Sequence, residues 1–221
     1  MSGLNQCFLK DKKLTKSDTA ALAGYDRSYN CIVGGADEAG RGPLAGPVVC
    51  ACVVMPLDED SIIHGVTDSK KLSQGARQRL YNEIILKAIQ YKVAVVDNTI
   101  IDSINILEAT KLGLCQAIDG LTAAADIILV DAISALDTPK TIKGIVKGDA
   151  TSYNIAAASI IAKVTRDGIM EELDKQYDGY GLASHKGYPT RAHYTALSAK
   201  GITPVHRKSF LTKPNRYWKL Q

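Results

Sequence analysis

Five short apolar runs rich in β-branched residues, each bounded by Gly, Pro, Asn or Asp, constrain the fold more than any other feature of this sequence. The runs occupy residues 31–36, 47–55, 91–97, 126–131 and 141–147. Only a Gly/Pro turn separates the first two, so they are predicted to form an antiparallel hairpin, while helical patterns follow the second and third. The sequence therefore predicts an α/β fold, with a five-stranded mixed sheet flanked by helices.

The C-terminal part of the chain departs from this pattern. A long helix is predicted from about Asp149 toward Tyr177, after which glycines and Pro189 break the chain, and residues 190–200 form a last short helix. We therefore divide the chain into an N-terminal extension (1–30), a compact body (31–178) and a helical, substrate-facing extension (179–221).

Charge is concentrated in that extension. Residues 179–221 hold eight Lys and Arg and no Asp or Glu, although the net charge of all 221 residues is only +4. Aromatic residues are interleaved with these charges, namely Tyr188, Tyr194, Phe210, Tyr217 and Trp218. This composition is typical of a surface that binds nucleic acid, with a solvated basic helix as the alternative.

Cysteine usage and hydropathy bear on the compartment. The five cysteines are odd in number and lie mostly in apolar runs, which predicts reduced, buried thiols. No apolar stretch is long enough to span a bilayer, and the N-terminus has no apolar core of a signal peptide. We expect a soluble cytoplasmic protein that binds no membrane and, without a coiled-coil seam, is a monomer.

Two adjacent carboxylates, Asp37 and Glu38, follow the first run and precede a turn formed by Gly40, Arg41 and Gly42. Paired acids can hold a hard cation, and the glycines leave room for another molecule's backbone. A cation site beside a close approach indicates nucleic-acid chemistry.

The same glycines match a dinucleotide-binding pattern, G-x-G-x-x-A, over residues 40–45. That pattern requires a helix that begins at the glycines and receives a pyrophosphate. Here the chain enters a β-rich run instead, and the two preceding carboxylates would repel the phosphate, so dinucleotide binding is excluded.

Two further acids are candidates for the same site. Asp131 ends the fourth run, and Asp149 precedes the long helix. If the first and fourth strands are parallel neighbours, Asp37 and Asp131 converge at the carboxyl ends of the strands, and Glu38 joins them where the glycine turn breaks the side-to-side alternation. Such a cluster would repel itself without a cation, which predicts a Mg²⁺ or Mn²⁺ site. Alternatively, Asp131 is an ordinary strand-end residue and Asp149 an ordinary helix N-cap.

Hydroxyl and ammonium groups cluster in a predicted loop at Ser69, Lys70 and Lys71. The loop is either a phosphate contact or a solvated start of the next helix.

Taken together, these motifs resemble those of the bacterial ribonucleases HII, the type 2 ribonuclease H family. In family order, they lie at residues 35–48, 68–72, 104–107, 130–132, 147–149, 157–167, 185–188 and 206–210. Ala36 stands where the family usually has a β-branched residue, residues 1–30 match weakly, and the last eleven do not match.

The resemblance implies a ribonuclease-H-like fold and a metal-dependent endoribonuclease. The implied substrates are RNA–DNA hybrids, cut in the RNA strand, and duplex DNA with embedded ribonucleotides, nicked on their 5′ side as in ribonucleotide excision repair. Asp37, Glu38, Asp131 and Asp149 would be both catalytic and metal-binding, in a two-metal reaction that leaves 5′-phosphate and 3′-hydroxyl ends. Asp167 competes with Asp149 for this role, but it lies eighteen residues further along the chain and is predicted to be a buried structural partner of Arg166 or of the chain end.

The resemblance also assigns substrate contacts. The turn of Gly40, Arg41 and Gly42 would read the ribose 2′-hydroxyl through its backbone, and Tyr188 would pack on the sugar at the RNA–DNA junction, with a core aromatic as the alternative. The remaining contacts implied are Ser69, Lys70, Lys71 and Lys186. Rival functions are a non-catalytic binder of hybrids and a metal nuclease that acts on DNA junctions.

Overall fold

The five apolar runs form the five strands of one sheet in the computed structural model, which describes residues 16–122, 125–133 and 135–212. The strands are β1 (Val33–Ala39), β2 (Val48–Val54), β3 (Gln90–Val96), β4 (Ile127–Asp131) and β5 (Ile142–Ile145). Their spatial order is β3-β2-β1-β4-β5. β2 is antiparallel to both β1 and β3, whereas β4 is parallel to both β1 and β5, so the predicted mixed sheet and its first hairpin are confirmed.

Six α-helices are described with the sheet: α1 (Lys16–Arg27), α2 (Gln74–Lys87), α3 (Asn98–Asp119), α4 (Tyr153–Gln176), α5 (Leu182–His185) and α6 (Arg191–Lys200). The long helix after the fifth strand and the last short helix are both confirmed. The N-cap of α4 is Ser152, whose hydroxyl accepts from the backbone N–H of Ile155 at 3.2 Å. The alternative that Asp149 caps this helix is therefore wrong.

Strand β2 shows how the sheet separates two cores. Val49, Ala51 and Val53 face the core formed with α1, α2 and α4. The alternate residues, such as Val48 and Cys50, face the core formed with α3. Because successive side chains of a strand point to opposite faces, one uniformly apolar run serves both cores.

Helix α4 lies directly against β1. A methyl group at Gly35 would overlap the backbone of Asn154 at the start of α4, so only glycine permits this approach. The side chain of Asn154 donates to Asp26 of α1 at 2.8 Å and accepts from the backbone N–H of Met55 at 2.8 Å. These contacts fix α4 against the strand that carries the first two candidate acids.

The segment after α4 packs over the loop that joins β1 to β2. Its apolar cluster combines Leu44 and Ala45 of that loop, Met170 of α4, and Tyr180, Leu182, Leu197 and Leu211. The predicted basic and aromatic residues Lys213, Arg216, Tyr217, Trp218 and Lys219 lie outside the described residues.

The cysteine prediction is only partly correct. Cys50 and Cys52 are buried and Cys115 is partly buried, but Cys31 is exposed because it precedes β1 rather than lying inside it. All four are free thiols, and Cys7 lies outside the described residues. Within the described ranges, no helix combines the length and apolar character needed to cross a bilayer.

Candidate active site

Asp37 and Glu38 lie in β1 itself rather than in the turn that follows it. Asp37 pairs in register with Ala51, on the sheet face that carries α4, and Glu38 pairs with Cys50, on the face that carries α3. The two acids therefore project from opposite faces of the strand. The prediction that the glycine turn breaks the alternation before Glu38 is wrong, because the strand continues until just before Gly40.

Asp131 ends β4 beside these two acids. Val130 pairs in register with Ala36, which brings Asp131 level with Asp37 at the carboxyl ends of two parallel strands. The Oδ1 atom of Asp131 accepts a hydrogen bond from the backbone N–H of Gly148 at 2.7 Å. The predicted parallel pairing of the first and fourth strands is thus confirmed, and it places the two aspartates side by side.

Asp149 reaches the same region from a single 3-10 turn, Gly148–Ala150, that precedes α4. Its side chain is buried, and its Oδ2 atom lies 3.5 Å from Nζ of Lys70. The hydrogen bond between Asp131 and Gly148 links this turn to the end of β4.

Burial and neighbouring charges raise the pKa of three of these acids. Burial raises the pKa of Asp37 well above its ordinary value, and the charges of Glu38 and Asp131 raise it further. Burial also raises the pKa of Glu38, with Asp131 adding to the effect and Arg41 opposing it. The pKa of Asp149 is raised by burial, by Asp68 and by Asp131. All three acids are therefore close enough to Asp131 for charge repulsion to be felt.

Glu38 provides a test of whether this cluster suits a divalent cation. Its Oε2 atom is buried without a hydrogen-bond partner, while Oε1 lies 3.4 Å from Nη1 of Arg41. Across the described residues, no three Asp, Glu, His or Cys side chains form a ready-made metal site. The donor atoms are nevertheless all carboxylate oxygens, mutually repelling and in one case unsatisfied, which is the set that Mg²⁺ and Mn²⁺ prefer.

The two glycines of the turn have different roles. Gly40 has φ = 101°, and a methyl group there would overlap the side chain of Arg166. At Gly42 an added methyl would meet only Cε1 of Tyr188, at 3.6 Å, an ordinary contact. Gly40 is therefore required by the fold of the turn, whereas Gly42 leaves space at its surface, beside the Tyr188 ring.

Two buried arginines hold the loop from the turn to β2 by its carbonyl groups. Arg166 of α4 donates to Pro47 O at 2.9 Å, to Ala45 O at 3.2 Å and to Lys186 O at 3.0 Å. Arg207 donates to the carbonyls of residues 40, 41 and 46 at 2.7 to 3.0 Å. Burial lowers the pKa of Arg166 to about 10 and that of Arg207 to about 9. Both remain protonated at neutral pH.

A cleft of about 190 Å³ opens between this turn and α4. Its lining residues are Glu38, Ala39, Gly40, Arg41, Gly42, Ser69, Lys70, Ser159, Lys163, Arg166 and Tyr188. The cleft therefore joins one of the clustered acids to the glycine turn, to the predicted lysine loop and to the predicted tyrosine. Asp37, Asp131, Asp149, Lys71 and Lys186 do not line it.

Two predicted substrate contacts have other partners. Nζ of Lys186 lies 2.7 Å from Oε1 of Glu171, and Nζ of Lys71 lies 3.9 Å from Oδ2 of Asp68. Ser69 is buried and shares a hydrogen bond of 2.9 Å with Ser159, although it also lines the cleft.

Asp167 is buried, as predicted, but its partner is neither of those expected. Its Oδ1 atom accepts from Nζ of Lys163 at 2.7 Å, one helical turn back along α4. Lys163 itself lines the cleft, so this ion pair links Asp167 to the cleft.

Three polar cleft residues were not among the sequence-based candidates: Ser159, Lys163 and Arg166. They lie four and three residues apart, which places them on one side of α4. The helical spacing of these three polar residues was the available signal. The spacing could not show that this side of α4 faces the glycine turn, because the placement of α4 depends on the contact between Gly35 and Asn154.

Comparisons with known proteins agree with this fold. The sequence model of the family described as Ribonuclease HII matches residues 34–213. The chain is 52% identical to Ribonuclease HII of Clostridioides difficile over 188 residues, covering 85% of this chain and 72% of that protein. Among solved structures, it resembles ribonuclease H2 of Pyrococcus horikoshii (TM-score 0.66, 32% identity, 80% of this chain and 92% of that one). It also resembles the PCNA:RNase HII complex of Archaeoglobus fulgidus (TM-score 0.70, 30% identity, 86% of this chain and 98% of that one).

Proposed function

This chain belongs to the ribonuclease HII family, and on that basis we propose how its cleft selects and cuts a substrate. As a family member it is an endoribonuclease that acts on RNA–DNA hybrids. We propose that it also nicks duplex DNA on the 5′ side of an embedded ribonucleotide and leaves 5′-phosphate and 3′-hydroxyl ends.

One observation carries this proposal. Glu38, one of the carboxylates clustered at the ends of β1 and β4, lines the same cleft as Gly42 and Tyr188. A cut site and a surface suited to a sugar thus adjoin one another. A ribonucleotide differs from its neighbours in DNA only by the 2′-hydroxyl, so a selective enzyme must inspect the sugar next to the bond it cuts.

We assign the acids to metal binding. Asp37, Glu38, Asp131 and Asp149 would hold Mg²⁺ or Mn²⁺, in keeping with the unsatisfied Oε2 atom of Glu38. When bound, two such ions supply the activation of the attacking water and the stabilisation of the leaving oxygen.

The chain's own residues would position the substrate. The open surface at Gly42 lets a sugar approach the backbone of the turn, and the exposed ring of Tyr188 beside it offers a face for the sugar at the RNA–DNA junction. Lys70, Lys163 and Arg41 surround the cleft with positive charge suited to phosphates. Lys71 and Lys186 do not line the cleft, which makes them weaker candidates for this role.

We further propose that residues 31–178 form the catalytic domain, with residues 1–30 as an N-terminal extension and residues 179–221 as a basic substrate-binding element. The fixed position of Tyr188 beside Gly42 supports that last role. The free cysteines support a reducing cytoplasmic setting, and we propose that the protein acts there as a monomer.

The decisive experiment compares three duplexes: all-DNA, DNA with one ribonucleotide, and an RNA–DNA hybrid, each with Mg²⁺, Mn²⁺ or EDTA. We expect cleavage of the last two with metal only. Cleavage of all-DNA would favour a DNA-junction nuclease, binding without cleavage would favour a non-catalytic binder, and activity in EDTA would remove the metal assignment.

A further inference from the structure

The two parts of the proposed sugar-reading surface come from distant segments. The glycine turn follows β1, whereas Tyr188 lies between α5 and α6. Their relative position nevertheless decides whether a ribose fits, because Cε1 of Tyr188 lies 3.6 Å from the place of an added methyl at Gly42. The contacts that fix their relative position therefore bear on selectivity for a ribonucleotide.

Arg207 holds the turn. Its guanidinium is fully buried and donates to the carbonyls of Gly40 at 2.7 Å, Arg41 at 2.9 Å and Gly46 at 3.0 Å. Its backbone N–H donates to Leu44 O at 2.7 Å. One side chain thus fixes three carbonyl orientations around the turn without lining the cleft itself.

His206 is linked to Tyr188 through a second histidine. Nε2 of His206 lies 3.0 Å from Nε2 of His193, and Nδ1 of His193 lies 3.0 Å from the carbonyl oxygen of Tyr188. The backbone N–H of Thr203 donates to Nδ1 of His206 at 3.0 Å. Both imidazoles are buried.

The hydrogen positions in this series of hydrogen bonds follow from its two ends, Thr203 N–H and Tyr188 O. Since Nδ1 of His206 accepts from Thr203, the neutral ring carries its proton on Nε2 and donates it to His193. His193 then accepts at Nε2 and carries its proton on Nδ1, where it donates to Tyr188. With both rings neutral, all four ring nitrogens and the carbonyl oxygen of Tyr188 have hydrogen-bond partners.

We propose that the adjacent residues His206 and Arg207 position the two halves of the sugar-reading surface together. Arg207 holds the turn directly, and His206 holds Tyr188 through His193. This role rests on the proposed function and extends it, because the segment around residue 206 then determines selectivity for a ribonucleotide. A β-bridge between Ala45 and His206 joins that segment to the same loop. His193, His206 and Arg207 are positioning residues, since none of them lines the cleft.

The test measures a preference ratio: kcat/KM on duplex DNA with one ribonucleotide, divided by kcat/KM on a uniform RNA–DNA hybrid. His193→Phe keeps the ring but removes both hydrogen bonds, and we expect the ratio to fall about tenfold. His193→Asn places an amide N–H where Nδ1 stood, so it should keep most of the ratio. Leu197→Ala, a buried apolar residue one turn along the same helix, is the matched control and should lower stability with no change in the ratio.

A double-mutant cycle separates positioning from general packing. If His193 acts on selectivity through Tyr188, then His193→Phe should change the ratio no further in the Tyr188→Ala background. Additive effects in that cycle, an unchanged ratio in His193→Phe, or an equal fall in Leu197→Ala would each overturn the link to Tyr188.

Arg207→Lys tests the other half. A single ammonium keeps the charge but cannot serve three carbonyls with the geometry of a guanidinium. We expect a fall of about tenfold in discrimination between a ribonucleotide-containing duplex and all-DNA, with retained folding by circular dichroism. Full discrimination would refute the role of Arg207, and if this variant does not fold, the His193 cycle decides. A wild-type protein that fails to cut at a single ribonucleotide would refute the proposed function itself, before any variant is considered.

Discussion

The Oδ1 atom of Asp131 accepts a hydrogen bond from the backbone N–H of Gly148, so the end of β4 is joined to the turn that presents Asp149. This bond needs an oxygen at that position but not a negative charge. Structure and charge can therefore be separated at Asp131 by a single substitution.

Asp131→Asn should abolish cleavage while leaving binding of the hybrid largely intact. The amide oxygen can still accept from Gly148, whereas the lost charge removes one of the four carboxylates assigned to metal binding. We expect at least a loss of about a hundredfold in single-turnover rate, with an unchanged Kd from fluorescence anisotropy in EDTA. Asp126→Asn is the control, because Asp126 accepts from Ile32 N–H at the opposite end of the same strand. Equal turnover by Asp131→Asn would remove this residue from the site.

Gly40→Ala and Gly42→Ala should fail for different reasons. An alanine at position 40 is strained by its positive φ and overlaps Arg166, so we expect the free energy of unfolding to fall by at least about 1 to 2 kcal/mol. An alanine at position 42 fits the fold but occupies the space offered to the sugar. It should leave the melting temperature unchanged and lower kcat/KM about tenfold or more. Thermal melts and steady-state assays of both proteins check the contrast, and a fully active Gly42→Ala would mean that the sugar does not approach there.

Tyr188→Ala should reduce the preference for a single embedded ribonucleotide more than it reduces binding of a uniform hybrid. Tyr188 is 41% exposed and belongs to none of the apolar clusters of the described residues, so stability should change little. Tyr188→Phe keeps the ring and should keep the preference. The comparison is made by kcat/KM on both substrates, and an unchanged ratio in Tyr188→Ala would favour a structural role for this aromatic.

The paired histidines predict a loss of stability in acid. Burial lowers the pKa of His193 and of His206 to about 4, from 6.5 in the unfolded chain. Between these values the folded protein binds fewer protons than the unfolded one. Their contribution to stability is therefore fully present above about pH 6.5 and is lost as the pH falls toward 4.

His193→Asn isolates this effect. Removing one titrating ring should flatten the slope of the free energy of unfolding against pH by up to about 1.4 kcal/mol per pH unit between pH 6.5 and 4.5. Urea unfolding at a series of pH values measures the slope. The raised pKa values of the site acids have the opposite effect on the pH dependence of stability, but those acids are present in both the wild type and the variant. His185, whose ring centroid lies 4.4 Å from that of His193, is also present in both. Parallel curves would show that the pKa of His193 is the same in the folded and the unfolded chain.

The last basic residues should contribute through phosphate neutralisation. Truncation after Thr212 removes Lys213, Arg216 and Lys219 but keeps Leu211, which is buried in the apolar cluster over the β1–β2 loop. If the three charges touch the duplex, the slope of log affinity against log salt should flatten by about three units. Binding titrations without divalent metal, at KCl concentrations from about 50 to about 300 mM, measure this slope. An unchanged slope would assign these residues no part in binding.

Local patterns were sufficient to predict the sheet and the position of Asp131, because β-branched runs and their bounding turns report directly on strands. They left two interpretations of Asp149 open, since a capping residue and an acid in the turn before a helix look alike in sequence. They also gave no signal for the roles of Arg166 and Arg207. Their partners in the loop before β2 are backbone carbonyls more than a hundred residues earlier in the chain, and a sequence does not show which carbonyl a side chain will bind.

The contact between Gly35 and the first turn of α4 has a consequence for how this protein can diverge. There the backbone of a strand meets the backbone of a helix, with no side chain between them to change size or rotamer. Helix α4 carries Ser159 and Lys163 on one side of the cleft, and β1 carries Glu38 on the other. Mutations that accumulate in the apolar cores can thus alter the stability of the protein, while this backbone contact keeps the spacing between β1 and α4 constant.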